Sequence, residues 1–403
     1  MNIITIYEPE YVRRFQCNGG GCLCTCCIGK AIPLDKTSTR SYLKSPDVTI
    51  RNIAQQNIQV EKVDVDNWST IALNGDNYCP FFDKSRSCTY CRIGDRADLH
   101  TRPPFCLDYP YVNVRWQNEV RKSLAIECPE ACGQILMNQT SIWMESQKQI
   151  ASHSQSPLNN VYQAVNAACM SQALRPEMSP AERLYAIGRL MLSIPAERYG
   201  DRRCAAQIKE ELNERAAAFS LDEIQRQMQN VVYDRGARWK LFAEIGARVA
   251  QLANSETTPS MASFWESIYR DITQQTPESG PEKMSMLEDA WQRSVLPIFK
   301  DYPHVFTNYL FYRLYHDGFP YHPRMSTYEC YYQLVTDCFV IRNLIAYWSI
   351  THVRTKKARM IDIVNIYHRW RRQYSDAYQQ SADSLKASGL YHPERIYTLL
   401  NHW

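Results

Sequence analysis

Residues 17–27 read CNGGGCLCTCC and set five cysteines, Cys17, Cys22, Cys24, Cys26 and Cys27, around three glycines. Four soft thiolates at tetrahedral corners can hold zinc or a [4Fe–4S] cluster. Of the 15 cysteines in the chain, eleven precede residue 133: those five with Cys79, Cys88, Cys91, Cys106, Cys128 and Cys132. Clustering of this kind in a reducing compartment points to metal, the alternative being structural thiols with some disulfides. Cys169, Cys204, Cys330 and Cys338 are scattered and read as small buried apolar residues.

The spacing separates the metals only in part. Zinc sites usually pair two C-x2-C knuckles, and this chain has Cys88 to Cys91 with no clean second. Cys26 and Cys27 are adjacent, so both thiolates reach one small ion awkwardly. Gly19, Gly20 and Gly21 let the backbone wrap closely and offer N–H groups to inorganic sulfide, which favours iron–sulfur over zinc. The C-x3-C-x2-C signature of radical enzymes fails, because Cys22 and Cys26 are followed by Gly29.

The elements that must position these thiols show weak periodicity. Up to about residue 132, glycine, proline and cysteine interrupt every regular run, and metal binding is the expected source of stability. A polar stretch, ESQKQIASHSQSPLNN at 145–160, reads as a connection. Beyond it the pattern is helical. Ser179-Pro180-Ala181-Glu182 is a capping-box start, followed by Leu184, Ile187, Met191 and Ile194 on one face. Ser220 to Glu223 repeats the start signal, and TPESGPEK at 276–283 reads as a loop. Leu334, Cys338, Ile341, Ile345 and Trp348 mark a later helix, Ile361, Val364 and Tyr367 another, and HDGFPYHP at 316–323 a break. The predicted fold is mainly α: an irregular cysteine-rich region over 1–132 and a larger α-helical body over 133–403. Only 14 glycines in 403 residues suit that helical body.

Net charge is +4 with no long basic run, so no nucleic-acid footprint is present. No signal-like apolar core or stretch of about 18 apolar residues occurs, so membrane insertion is not expected and the cytoplasm is the expected compartment.

A longer pattern joins these residues: Tyr11-Val-x-x-Phe15-x-Cys17, Cys22, Cys26-Cys27-x-Gly29, Ile32-x-Leu34-Asp35, Cys79-Pro-Phe-Phe, Cys88, Cys106-x-x-Tyr-Pro110 and Ser123-Leu-x-x-x-Cys128-Pro-Glu130. Asn308-Tyr309-Leu310, Gly318-Phe319-Pro320 and the helix carrying Arg342 extend it. The pattern resembles the flagellin lysine-N-methylase family, with a front part similar to the "CxxCxxCC" metal-chelating group. The resemblance implies a cytoplasmic enzyme that methylates lysine side chains of flagellin, with S-adenosylmethionine as donor and a [4Fe–4S] cluster. Carried over, the metal candidates are Cys17, Cys22, Cys26, Cys27, Cys79, Cys88, Cys106 and Cys128, with Cys17, Cys22, Cys26 and Cys106 the favoured four. Cys24, Cys91 and Cys132 fall outside the pattern. Lys30, Tyr111 and the Cys88-Thr-Tyr-Cys91 segment depart from it.

Methyl transfer to lysine needs a neutral amine, so the site must desolvate or deprotonate an ammonium with a pKa near ~10.4. No glycine-rich strand–turn–helix for S-adenosylmethionine is present. Asn308 and Tyr309 could bond an amine or carboxylate, and Arg342 a cofactor carboxylate. The bland alternatives are a core-satisfying amide and a structural ion pair. Tyr309, Phe311, Tyr312 and Tyr315 offer an aromatic wall or simple core packing. Rival readings are an iron–sulfur redox carrier and a zinc-stapled flagellar adaptor without catalysis.

Overall fold

The computed structural model describes residues 2–18, 26–27, 31–75, 78–83, 90–93, 102–116, 118–151, 159–195, 198–199, 205–256, 259–274, 278–352, 357–373 and 377–403. In chain order these give β1 (Asn2–Pro9), α1 (Glu10–Arg13), β2 (Ile32–Leu34), α2 (Lys36–Leu43), α3 (Val48–Asn57), β3 (Ile58–Val60), β4 (Ser69–Ile71), β5 (Phe82–Asp83), β6 (Tyr90–Cys91), α4 (Pro104–Asp108), β7 (Tyr111–Trp116), β8 (Glu119–Leu124), α5 (Pro129–Met137) and β9 (Met144–Ala151). There follow α6 (Asn160–Ala173), α7 (Pro180–Leu192), α8 (Ala205–Ala218), α9 (Leu221–Gln229), α10 (Arg235–Glu256), α11 (Pro259–Thr273) and α12 (Gly280–Ala290). A π-helical turn at Trp291–Val295 leads to α13 (Leu296–Phe299), α14 (Val305–His316), α15 (Thr327–Thr351), α16 (Lys357–Gln373), α17 (Ala377–Ala387) and a closing 3-10 turn at Arg395–Leu400. The fold is mainly α, and none of the described helices is long and apolar enough to cross a membrane.

Two compact units interleave along the chain. One comprises Phe15–Val112 and Leu124–Ala131; the other comprises residues 2–14, Asn113–Ser123 and Cys132–Trp403. The spatial division thus differs from a single cut at residue 132, because 2–14 and 113–123 belong with the helical body. Strand β1 is the reason. It pairs in parallel with β8, Ile6 opposite Val120, and antiparallel with β9 along its whole length, Asn2 to Ala151 through Pro9 to Met144. The sheet order is β7-β8-β1-β9. The polar stretch from 145 is therefore, as far as residue 151, an edge strand and not a connection. Its backbone bonds to β1 while its Glu, Ser, Gln and Lys side chains stay exposed, which gives an edge strand the composition of a loop.

The helical body follows its start signals. Ser179 and Glu182 form the reciprocal capping box of α7, and Ser220 caps α9 by accepting from the Glu223 N–H at 3.2 Å. Leu184, Ile187, Met191 and Ile194 are all buried. The segment from 276 ends earlier than expected, because Ser279 and Glu282 form a second capping box and α12 begins at Gly280. Helix α15 is buried without a break from Cys330 to Trp348, the signature of a central helix. Before it, α14 stops at His316. Gly318 takes φ +64°, and Asn166 Nδ2 donates to the carbonyls of Leu314 and Phe319 at 2.8 and 2.7 Å.

In the cysteine-rich unit, β2-β4-β3 form an antiparallel sheet, with Ile32 and Ile58 both opposite Ile71. Asp35 and Asp47 cap α2 and α3 by accepting from the N–H groups of Ser38 at 2.6 Å and Thr49 at 2.8 Å. Their apolar faces join the sheet in a small core of Ile32, Leu34, Tyr42, Ile50, Ala54, Ile71, Phe81 and Ile93.

Candidate functional site

Cysteines border that small core. Cys79 is part of it, and Cys27, Cys91 and Cys106 pack against it. Local backbone bonds bring them there. The Cys79 N–H donates to the Cys27 carbonyl at 2.7 Å, and the Phe82 N–H closes a turn on the Cys79 carbonyl at 2.9 Å. The short β5-β6 pair then sets Cys91 opposite Phe82. Pro103 starts α4, and its carbonyl accepts from the Cys106 N–H at 2.8 Å.

The thiols sense one another. A hydrogen bond from Cys27 lowers the Cys26 thiol to about 7, with Arg102 adding to the effect and burial opposing it. Burial pushes Cys79 up to about 12, and the charges of Cys91 and Cys26 push the same way. Burial likewise raises Cys106, helped by Cys26, Cys91 and Cys79 and opposed by Arg102. Cys26, Cys79, Cys91 and Cys106 carry no disulfide. Cys79 is buried, Cys91 and Cys106 are half-buried and Cys26 is exposed; with Cys27 beside them these sulfurs are a soft donor set suited to a thiolate-bound centre and unsuited to magnesium or calcium. Among the described residues no three His, Cys, Asp or Glu side chains converge tightly enough for a single metal ion. A cluster binds its thiolates at its corners and asks for less convergence than one ion does.

Cys91, outside the sequence pattern, lies with this group. Its cross-strand pairing is the signal that put it there, and spacing along the chain does not carry that signal. Cys17 is exposed, and its neighbour Asn18 donates to Glu130 Oε1 at 3.2 Å. Cys128 is buried, with its N–H on the Ala125 carbonyl at 3.1 Å. Cys22, Cys24 and Cys88 lie outside the described residues.

The other three sequence candidates lie in the helical body. Asn308 is buried and donates from Nδ2 to the carbonyls of Asn138 at 2.9 Å and Leu136 at 3.3 Å, tying α14 to the end of α5. Tyr309 belongs to a buried chain of polar groups. Its hydroxyl meets His368 Nε2 at 3.0 Å and accepts from Arg313 Nη1 at 3.1 Å. Arg313 and Arg371 both donate to Asp337 Oδ2, while Tyr367 and Gln333 donate to Oδ1, each at 2.6 Å. Burial pushes the Asp337 carboxyl up, but Arg371 and Arg313 outweigh it and hold it near 2. Burial, with Arg313 next, drives His368 well below the usual imidazole value, so it is neutral. This chain joins α14, α15 and α16 around an ionised Asp337.

Arg342 is fully buried between Trp291 and Trp403, 5.1 and 5.5 Å from their ring centres, and donates to the His402 carbonyl. Its Nε and Nη1 have no hydrogen-bond partner among the described residues. Among the described residues it makes no ion pair: the nearby carboxylate, Glu288, pairs with Arg238 at 2.7 Å. Asn308, Tyr309 and Arg342 thus each hold a different part of the interior.

Residues 166–399, which include all three, match the FliB lysine N-methylase C-terminal domain. The chain belongs to the FliB lysine N-methylase family. A lysine-N-methylase of Salmonella typhimurium is 27% identical over 378 residues, covering 91% of each chain. One of Salmonella choleraesuis is 26% identical over the same span and coverage. The flagellar biosynthetic protein FliU of Salmonella muenchen is 38% identical over 156 residues, 38% of this chain and 90% of that protein. No solved structure matches. In this FliB-family chain the matched domain contains the whole Asp337 network, whereas the thiol group at 26–106 precedes it.

Proposed function

We propose that this protein transfers a methyl group from S-adenosylmethionine to the Nε of lysine side chains on flagellin, in the cytoplasm, with a [4Fe–4S] cluster held by its amino-terminal cysteines. One observation carries the reading: similarity to lysine-N-methylases runs over 91% of the chain and includes a matched FliB C-terminal domain. Flagellin as the acceptor is supported by the flagellar name of the third relative.

Cys26, Cys27, Cys79, Cys91 and Cys106 are the described residues that would hold the cluster, with Cys17, Cys22, Cys88 and Cys128 as further candidates from the sequence pattern. When bound, the cluster supplies an iron able to ligate the amino and carboxylate groups of a methionine moiety if one corner lacks cysteine. The chain's own contribution is the surround. The core of Tyr42, Phe81 and Ile93 gives Cys79, and the packed Cys27, Cys91 and Cys106, an apolar side, and the Arg102 charge favours the Cys26 thiolate. The amine must lose its proton before transfer, and an apolar, aromatic setting lowers its pKa by desolvation.

The test is mass spectrometry of flagellin incubated without oxygen with this protein and S-adenosylmethionine. The expected result is a gain of one CH2 mass, or a small multiple, on modified lysines. Unchanged flagellin in the presence of an intact, brown, iron-loaded protein overturns the reading.

A further inference from the structure

Two arginines of the helical body, Arg238 on α10 and Arg342 on α15, have no exposed surface. They lie close together. The Arg238 guanidinium stands 5.4 Å from the ring centre of Phe339, one helical turn before Arg342 and on the same side of α15. Both reach one turn of chain: Arg238 Nη2 donates to the Asn401 carbonyl at 3.0 Å, and Arg342 donates to the His402 carbonyl. The carboxylate beside them is shared. Glu288 pairs with Arg238 at 2.7 Å and with Arg235 at 3.1 Å, and it accepts from the Tyr233 hydroxyl. A guanidinium keeps its proton, so Arg342 brings a buried positive charge with no carboxylate of its own among the described residues. Burial, then the Arg238 charge, push Arg342 well below its usual value, and Arg238 outweighs the opposing Glu288.

The polar atoms around that charge are donors. Among the described residues, Arg342 Nε and Nη1, Arg238 Nε, Asn401 Nδ2 and the indole N–H groups of Trp291 and Trp403 are buried without a hydrogen-bond partner. The indole rings are 6.3 Å apart and flank Arg342 at 5.1 and 5.5 Å. The Trp403 main-chain oxygen is engaged elsewhere, accepting from the exposed Gln292 at 3.3 Å. Orphaned donors gathered about an unbalanced positive charge call for an acceptor that is itself negative. The geometry points to a binding site for a small monovalent anion, a halide or a one- or two-carbon carboxylate, held by Arg342, Arg238 and the two indole N–H groups beneath the Asn401–Trp403 turn. Full burial of both guanidinium groups limits its size. The turn is the way in, because His402 is exposed and takes φ +55°. The anion supplies the counter-charge and ties the turn to α10 and α15. This site stands apart from the methyl-transfer reading.

Circular dichroism melts of the full-length protein at constant ionic strength test it. Sodium gluconate, too bulky for an enclosed site, is replaced stepwise by sodium chloride or sodium formate. The wild-type helical body should melt roughly 1–2 °C higher for each tenfold rise in chloride or formate beyond half-saturation. Formate acting at the lower concentration assigns the site to carboxylates and the reverse order to halides; either supports it. Arg342→Met keeps an apolar stem between the indoles and removes the charge. It should abolish the response and, in gluconate, melt no lower than wild type, because the deleted charge has no counter-ion there. Trp403→Phe keeps a ring and deletes one N–H. It should raise the anion concentration needed roughly threefold, and it decides the matter if Arg342→Met fails to fold. Equal wild-type melts in all three salts overturn the site and leave the donors to water. So does a salt response that either variant retains in full, or an Arg342→Met protein destabilised by the same margin in every salt.

Discussion

Asp337 shows how much chemistry one buried residue can organise. It is fully buried and ionised, and Arg313, Arg371, Tyr367 and Gln333 supply its hydrogen bonds. Removing its charge leaves two guanidinium groups facing a neutral amide in a low-dielectric interior. Asp337→Asn should therefore lose about 3–5 kcal/mol of stability, measured by urea unfolding. The carboxyl is held near 2, below its ordinary 3.8. Its contribution to stability is thus full above pH 3.8 and lost as pH falls through 2. The wild-type unfolding midpoint should drop across that window, and the part of the drop due to this residue should vanish in Asp337→Asn. A slope identical in both proteins would refute the assignment. None of this was legible in sequence, because Asp337, Arg371 and Arg313 sit on three different helices. Tyr309 was legible as a polar group of interest, but its partners His368 and Arg313 were not. The cysteines were legible by type and crowding. Cys91 was missed as a neighbour of Cys79 and Cys106 because the β5-β6 pairing that carries it there leaves no mark in spacing.

Helix starts were the most readable elements, since a capping box is a local device. Ser179 with Glu182 announces α7 in four residues, and the structure forms both bonds. Gly188, in the same helix, looks like a needless weakness, because glycine in a helix interior costs about 1 kcal/mol relative to alanine. Packing supplies the reason. A Cβ there would stand 2.3 Å from the Tyr331 hydroxyl and 2.7 Å from that of Tyr397. Tyr331 cannot swing away cheaply. It is buried, and its hydroxyl donates to the Leu184 carbonyl at 3.0 Å. Gly188→Ala should destabilise by about 1–3 kcal/mol despite the better helix propensity. Gly236→Ala is the contrasting case: in the first turn of α10 its Cβ meets only Asp234 Oδ1, at 3.5 Å. That change should be neutral or stabilising by up to about 1 kcal/mol. Thermal melts of the two variants decide it, and a stabilised Gly188→Ala would show that the tyrosines have room to give.

At the scale of the whole molecule, the two units differ in what can hold them together. The helical body has a central helix buried along nineteen consecutive residues, Cys330–Trp348, and many helices to cover it. The unit of Phe15–Val112 and Leu124–Ala131 has a three-stranded sheet with strands of three residues, two capped helices and one modest apolar cluster bordered by thiols. A core of that size rarely suffices alone, and metal binding energy becomes folding energy where ligands are gathered only in the folded state. The thiols sharpen the contrast. Without a cation, burial favours neutral Cys79 and Cys106; a bound centre reverses that preference and links the segments that carry them. Removing the proposed cluster with ferricyanide and a chelator should therefore loosen this unit selectively. Hydrogen exchange followed by mass spectrometry should rise around Ile50, Ile71 and Cys79 while peptides from Thr327–Thr351 stay protected. Calorimetry should show one transition moving to lower temperature and a second holding its place. If chelation left exchange unchanged in both units, the thiols would not be carrying a stabilising centre, and packing alone would have to account for the smaller unit's order.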